Sequence, residues 1–327
     1  MTGDGTPFLV SESIALVRAG ALGDTVLTLP AVQALRNSYP DAHLCVIGYP
    51  ASWEIAGSLV DEVLSVDRAD LAGLLTGTPT PTLISRLSQV DLLVLWTQQD
   101  RASMLCPAGI PEMVNASPYP PPGIHASAWL LQTLALPDDT PAGCQLVFDQ
   151  AERAEATSVL RALNLSRSVM LHPGAGAHWK RWPAVRFAAL ADALERQGHQ
   201  LLLVEGPADV KPVEDVQAHA ARPYPVLRET SLRRLAAVLA QGSLFVGNDS
   251  GVTHLAAISG VPTVALFGPT DPANWAPLGN SRVVRSCTAR ASLQGQIRVC
   301  DDPACLSAIS VAEVMAVIDQ SFSSQPA

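Results

Sequence analysis

Short apolar runs alternate along this chain with stretches in which apolar residues recur every three or four positions. The first kind predicts buried strands and the second predicts amphipathic helices. Residues 14–18 form an apolar run that ends at Arg18, followed by the turn Ala19-Gly20-Ala21-Leu22-Gly23-Asp24. A helix is expected over about 25–38, then strands over 44–48, 62–66 and 91–97. Residues 76–82 and 107–123 are rich in proline, and the second stretch is expected to lack regular structure. Helical spacing returns over 124–136, and residues 137–143 form a proline- and glycine-containing linker.

The alternation then repeats. A helix is expected over 151–163, a strand over 169–172, a helix over 183–197 stopped by Gly198, and a strand over 201–204 closed by Glu205-Gly206-Pro207. Residues 231–241 read as helix and 243–246 as strand. Gly247 to Gly251 supply turn and N-cap residues, with a helix over 251–259 and a strand over 261–267. The tail from 310 to 322 is helical, with Ser310 and Glu313 spaced as a capping box. Two βα arrays of this kind imply an α/β protein of two Rossmann-like doubly wound domains, 1–143 and 144–327. They are expected to face each other across a cleft, with ligands at the carboxyl ends of the strands. The C-terminal helix either stays with the second domain or returns to the first.

Composition narrows the classes. The 327 residues are 48% hydrophobic and 16% charged, which suits a globular chain. No apolar run reaches the roughly 18–20 residues that cross a bilayer, and the start shows no signal-peptide pattern. Six scattered cysteines suggest reduced thiols and a cytoplasmic protein. The net charge of −9 lies wholly in residues 1–143, where five Arg and no Lys face fourteen Asp and Glu. Residues 144–327 balance, with sixteen of each sign. Nucleic-acid binding is thereby disfavoured, because a phosphate backbone calls for a basic face.

Candidate chemistry sits at strand ends. The free N–H groups of the helix that begins at Gly251 suit an anion such as a diphosphate, and His254 lies one turn in. Asp24, at another helix start, either caps that helix or takes a proton from a hydroxyl. Gly174 and Gly176, in the loop P-G-A-G-A-H-W-K-R-W-P at 173–183, would let main chain approach phosphates closely. Lys180 in the same loop supplies a cation, with Arg181 beside it. Trp179 and Trp182 read as packing rather than base stacking. Cys287, Cys300 and Cys305 lack a fourth nearby ligand, so structural thiols are expected and no metal site.

Three stretches, R-A-G-A-L-G-D-T-V-L-T-L-P-A at 18–31, H-P-G-A-G-A-H-W-K-R-W-P at 172–183 and N-D-S-G-V-T-H-L-A-A-I-S-G-V-P-T-V-A-L-F-G-P-T at 248–270, together resemble glycosyltransferase family 9. That family comprises the heptosyltransferases of lipopolysaccharide core synthesis. The resemblance covers essentially the whole chain. It implies a GT-B fold and inverting transfer from a nucleotide sugar, typically ADP-heptose, without a cofactor or an essential metal. It places the donor on the C-terminal domain and a saccharide or glycolipid acceptor on the N-terminal domain, with peripheral contact at the inner membrane allowed. By motif, Asp24 resembles the catalytic base and Lys180 the diphosphate ligand. Asp249, Ser250, Gly251 and His254 resemble the group around the donor's sugar and phosphates. Glu205 is similar in placement to an acid that holds the ribose, and Arg18 to an acceptor-side residue. One departure stands out: a domain of net charge −9 with no lysine is an unusual host for an anionic core saccharide, so a less anionic acceptor is the alternative. A nucleotide-sugar binder without transferase activity is a further one.

Overall fold

The computed structural model describes residues 12–137, 144–229, 231–285 and 304–323. Residues 138–143 of the expected linker lie outside these, as do Cys287 and Cys300. The chain divides into two compact units. One comprises residues 1–20, 28–119 and 127–143, the other residues 21–27, 120–126 and 144–327.

In the first unit, β1 (Ser13–Val17), β2 (His43–Gly48), β3 (Glu62–Ser65), β4 (Leu92–Trp96) and β5 (Glu112–Ala116) form a parallel sheet. Its order is β3-β2-β1-β4-β5. Parallel strands covered on both faces require near-continuous apolar sequence, and all five residues of β4, Leu-Leu-Val-Leu-Trp, are buried. One layer of the core joins Val17, Leu93 and Leu95 to Leu71, Leu83 and Leu105. The presence of β5 corrects the expectation that 107–123 has no regular structure. Pro111 and Pro118 flank the strand rather than interrupt it, and β5 is an edge strand paired only with β4, where prolines nearby are tolerated.

The second unit holds β6 (Val169–His172), β7 (Leu201–Glu205), β8 (Val226–Arg228), β9 (Leu244–Asn248), β10 (Thr263–Phe267) and β11 (Ser281–Arg285). Their order is β11-β10-β9-β6-β7-β8, again all parallel. The strand order reverses between β6 and β9, and in such sheets that crevice receives the ligand.

Helices α1 (Leu22–Ser38), α2 (Ala126–Thr133), α3 (Gln150–Ala162), α4 (Ala184–Arg196), α5 (Val210–His219), α6 (Leu232–Leu239), α7 (Gly251–Ile258) and α8 (Val311–Ser323) link and cover the strands. The last of these, α8, belongs to the second unit's core. Its Val314 and Ile318 are fully buried with Leu171, Phe187 and Leu203, and it packs on α4 and β11. Its start carries the expected capping box: Ser310 N–H donates to Glu313 at 2.7 Å, and Glu313 N–H donates to Ser310 Oγ at 3.2 Å. Among the described residues no helix is long and apolar enough to cross a membrane.

Candidate functional site

The site grows from the end of β9. Asn248 is fully buried and acts as a staple for the loop that follows β6. Its Nδ2 donates to the carbonyls of Pro173 (2.9 Å) and Gly174 (3.2 Å), and its Oδ1 accepts the Trp182 N–H (2.9 Å). Trp182 is itself buried, edge-on to Phe187, with its indole N–H on the Ile309 carbonyl at 2.9 Å. It is therefore a packing residue, as expected. The loop is thus fixed at both ends, and this brings Lys180 back over the sheet.

The Asp249 N–H extends the ladder to Leu266 O at 3.0 Å, which aims the residue off the strand end. Lys180 Nζ meets Asp249 Oδ2 at 2.6 Å and lies 5.5 Å from the Trp179 ring centre. Ser250 is the N-cap of α7: its Oγ accepts the Thr253 N–H. His254, 4% exposed, places Nε2 4.0 Å from Asp249 Oδ1, and its Nδ1 has no hydrogen-bond partner among the described residues. Burial drives the His254 imidazole down to about 4. Asp249 and Asp24 oppose this, and Lys180 and His125 add to it. At neutral pH the ring is therefore uncharged and can offer one donor and one acceptor.

Residues 21–27 pack in this same unit. A Cβ on Gly251 would lie 2.8 Å from Leu22 Cβ and 3.0 Å from the Gly23 nitrogen, and one on Gly23 would lie 3.2 Å from His254 Cδ2. The two helix starts therefore meet through glycines, where no larger residue fits without displacement. Asp24 stands half-buried in the first turn of α1 and accepts the Ala21 N–H at 3.0 Å. The cap and the candidate base are thus the same carboxylate.

A second group lies beneath. His172 ends β6; its Nε2 is 3.0 Å from Asp209 Oδ2 and its Nδ1 is 3.4 Å from Ser250 Oγ. Burial raises the Asp209 carboxyl. The His172 hydrogen bond and charge, the Gly206 N–H and Arg181 outweigh that and hold it below the usual carboxylate range. A Cβ on Gly174 would fall on the Asp209 carboxylate. This close packing is a reason for that glycine that the loop sequence does not reveal. Gly176, by contrast, faces open space.

Glu205 stands apart from the Lys180 group. It is buried at the end of β7 and grips Arg228, its register partner on β8, at 2.6 and 3.4 Å. Arg181 hydrogen-bonds the Ala175 carbonyl at 3.1 and 3.3 Å, and its charge also bears on Asp209. Arg18 lies in the first unit, just past β1 and buried, with its carbonyl accepting the Trp53 indole N–H at 3.3 Å.

Sequence reasoning missed Asn248 as a staple, Asp209, and the segment 120–126. In that segment Pro121 and Ile124 give their carbonyls to Asn274 Nδ2 at 2.8 and 2.6 Å, and His125 Nε2 lies 2.9 Å from Ala276 O. The Asn in N-D-S-G was a signal that could have been used. Asp209 and His125 carry none.

The arrangement is an anion-receptive helix mouth with one lysine, two carboxylates and a neutral imidazole, on the switch point of a Rossmann-like sheet. The profile of glycosyltransferase family 9 (heptosyltransferase) matches residues 128–300. Lipopolysaccharide heptosyltransferase 3 of Escherichia coli is 24% identical over 338 residues, covering 91% of this chain and 96% of that protein. The crystal structure of the glycosyl transferase family 9 from Veillonella parvula DSM 2008 superposes with a TM-score of 0.77 at 22% identity, covering 96% of this chain and 98% of that one. The structure of E. coli ADP-heptose lps heptosyltransferase II does so with a TM-score of 0.71 at 19% identity, covering 95% and 98%. These likenesses show the GT-B fold of two Rossmann-like units. With a profile that spans over half its length, the chain belongs to glycosyltransferase family 9, the heptosyltransferase family.

Proposed function

We propose that this chain is an inverting glycosyltransferase that moves heptose from ADP-heptose to a saccharide acceptor. The observation that carries the reading is the Lys180–Asp249–His254 group at the mouth of α7, against which the Gly23–Asp24 turn packs. The names of the relatives, heptosyltransferases of lipopolysaccharide, support heptose as the sugar and a core saccharide as one acceptor class.

In this reading the Asp24 carboxylate takes the proton from an acceptor hydroxyl as that oxygen attacks the anomeric carbon. The bond from that carbon to the diphosphate breaks on the opposite face, and the electron pair leaves with ADP. Lys180 and the N–H groups at the start of α7 meet the charge that grows on the leaving oxygen, so neutralisation is assigned to the protein and not to a metal ion. Asp249 accepts sugar hydroxyls, and neutral His254 hydrogen-bonds without adding charge. The Gly174–Gly176 loop lies along the phosphates, and Glu205, held by Arg228, takes the ribose hydroxyls. The enzyme acts in the cytoplasm, with peripheral contact at the inner membrane when its acceptor is a glycolipid.

The test uses ADP-heptose and the full chain. Asp24→Asn is expected to lower transfer and donor hydrolysis by about 100-fold or more, with ADP affinity changed less than about twofold. Lys180→Ala is expected to weaken ADP binding by about tenfold or more. Undiminished turnover in Asp24→Asn overturns the role of the base, and ADP binding without any turnover in the wild type favours a non-catalytic binder.

A further inference from the structure

The charge of the first half has a structural counterpart. All five cations of residues 1–143 lie among the described residues, and the fold engages each one. Arg36 donates to Asp61 at 2.6 Å and to the carbonyls of Leu59, Pro40 and Ala42. Arg68 and Arg86 both close on Asp70 at 3.0 Å, and Glu62 acts on Arg68 as well. Arg101 is laid against Gly77 and donates to the Leu75 carbonyl at 2.7 Å. Arg18 is buried. Recruiting Arg36, Arg68, Arg86 or Arg101 for a phosphate or carboxylate would strip a partner from a carboxylate or carbonyl. At longer range the field of fourteen acids repels an anion, within a reach of about 8–10 Å at physiological salt.

What the first unit does present is amide and aromatic, with one carboxylate and no cation. At the carboxyl ends of β4 and β5, where such sheets carry ligands, amide and aromatic side chains gather. Gln98 Nε2 donates to Tyr119 Oη at 2.5 Å, and Asn115 Nδ2 donates to Asp100 Oδ1 at 2.7 Å. The Trp129 indole N–H donates to Ser117 O at 2.8 Å, which seats that ring beside the same loop. Gln98, Asp100 and Asn115 are exposed. Amides and one carboxylate offer donors and acceptors to hydroxyl groups, and aromatic faces take the C–H faces of sugar rings.

We propose that the first unit receives an uncharged, hydroxyl-rich saccharide acceptor at the cluster of Gln98, Asp100, Asn115, Tyr119 and Trp129, and that phosphorylated or carboxylated acceptors are disfavoured. This rests on the glycosyltransferase reading given above.

The experiment pairs a neutral heptose-terminated oligosaccharide with the same oligosaccharide carrying a phosphate monoester, using ADP-heptose and the full chain. ADP binding by calorimetry and acceptor-free ADP release are measured first, because they report on the donor side alone. The neutral acceptor is expected to give the higher kcat/KM, by about tenfold or more. Gln98→Ala and Asn115→Ala should raise the acceptor KM severalfold without moving the donor KM, and Arg68→Gln should leave both unchanged. A preference for the phosphorylated acceptor overturns the acceptor class, and an unmoved acceptor KM in both Ala variants overturns the location. If ADP neither binds nor is released, the glycosyltransferase reading itself fails and the acceptor assignment falls with it.

Discussion

His254 shows how much one buried ring can weigh. Its pKa in the folded chain, about 4, lies below the 6.5 of a free imidazole. Between these values the unfolded chain binds the extra proton, so stability rises with pH across that window. The contribution of the neutral ring is complete above about pH 6.5 and is lost as pH falls towards 4. A shift of this size corresponds to about 3 kcal/mol. Urea denaturation at pH 7 and pH 4.5 should show the wild type losing about 2–3 kcal/mol more than His254→Gln; equal losses would contradict the buried neutral ring. Asp209 acts in a lower window. Its carboxyl is held below the usual range, so its contribution is present above pH 3.8 and disappears at stronger acid. In sequence, His254 is legible because it follows a cap by one turn, whereas Asp209 sits in a loop with no pattern around it.

At the scale of elements, the site depends on the loop between β6 and α4 being held over the end of β9. Asn248 does this with three hydrogen bonds to residues 66 to 75 positions away, all buried. Asn248→Ala should cost about 2–4 kcal/mol of stability, because it orphans a buried N–H and two carbonyls. It should also weaken ADP binding by loosening the approach of Lys180. Chemical denaturation and calorimetry on one preparation check both, and unchanged ADP affinity would separate the staple from the site. The interior strands and most of the helices were legible because parallel strands covered on both faces are apolar throughout. The exceptions are β5, β8 and β11, all at sheet edges; there a strand can be short, polar or, in β5, flanked by prolines, and whether that is tolerated depends on its place at the edge. That is a property of the sheet and not of the segment.

For the molecule as a whole, charge is the property that distinguishes the two halves. With −9 on residues 1–143 and every cation there engaged, association with an uncharged acceptor should be nearly insensitive to salt. Raising ionic strength from about 0.05 to 0.3 M should change kcat/KM for a neutral acceptor by less than about twofold. A steep fall would mean that ion pairing drives acceptor binding. With the diphosphate placed near Lys180 and the mouth of α7, as proposed, donor binding should weaken over the same range.

The sequence alone determined the alternation of strands and helices, the two Rossmann-like arrays, the family, and the identity of the residues at the strand ends. These follow from periodicity, capping and turn chemistry, all of which act within a few residues. Only the tertiary structure decided which groups meet: Lys180 with Asp249, His172 with Asp209, Glu205 with Arg228, and the Gly23 turn with Gly251. It also decided that five arginines, free to be ligands in the sequence, are engaged by the fold. Such pairings turn on ångström distances between residues dozens of positions apart, and short-range pattern carries no record of them.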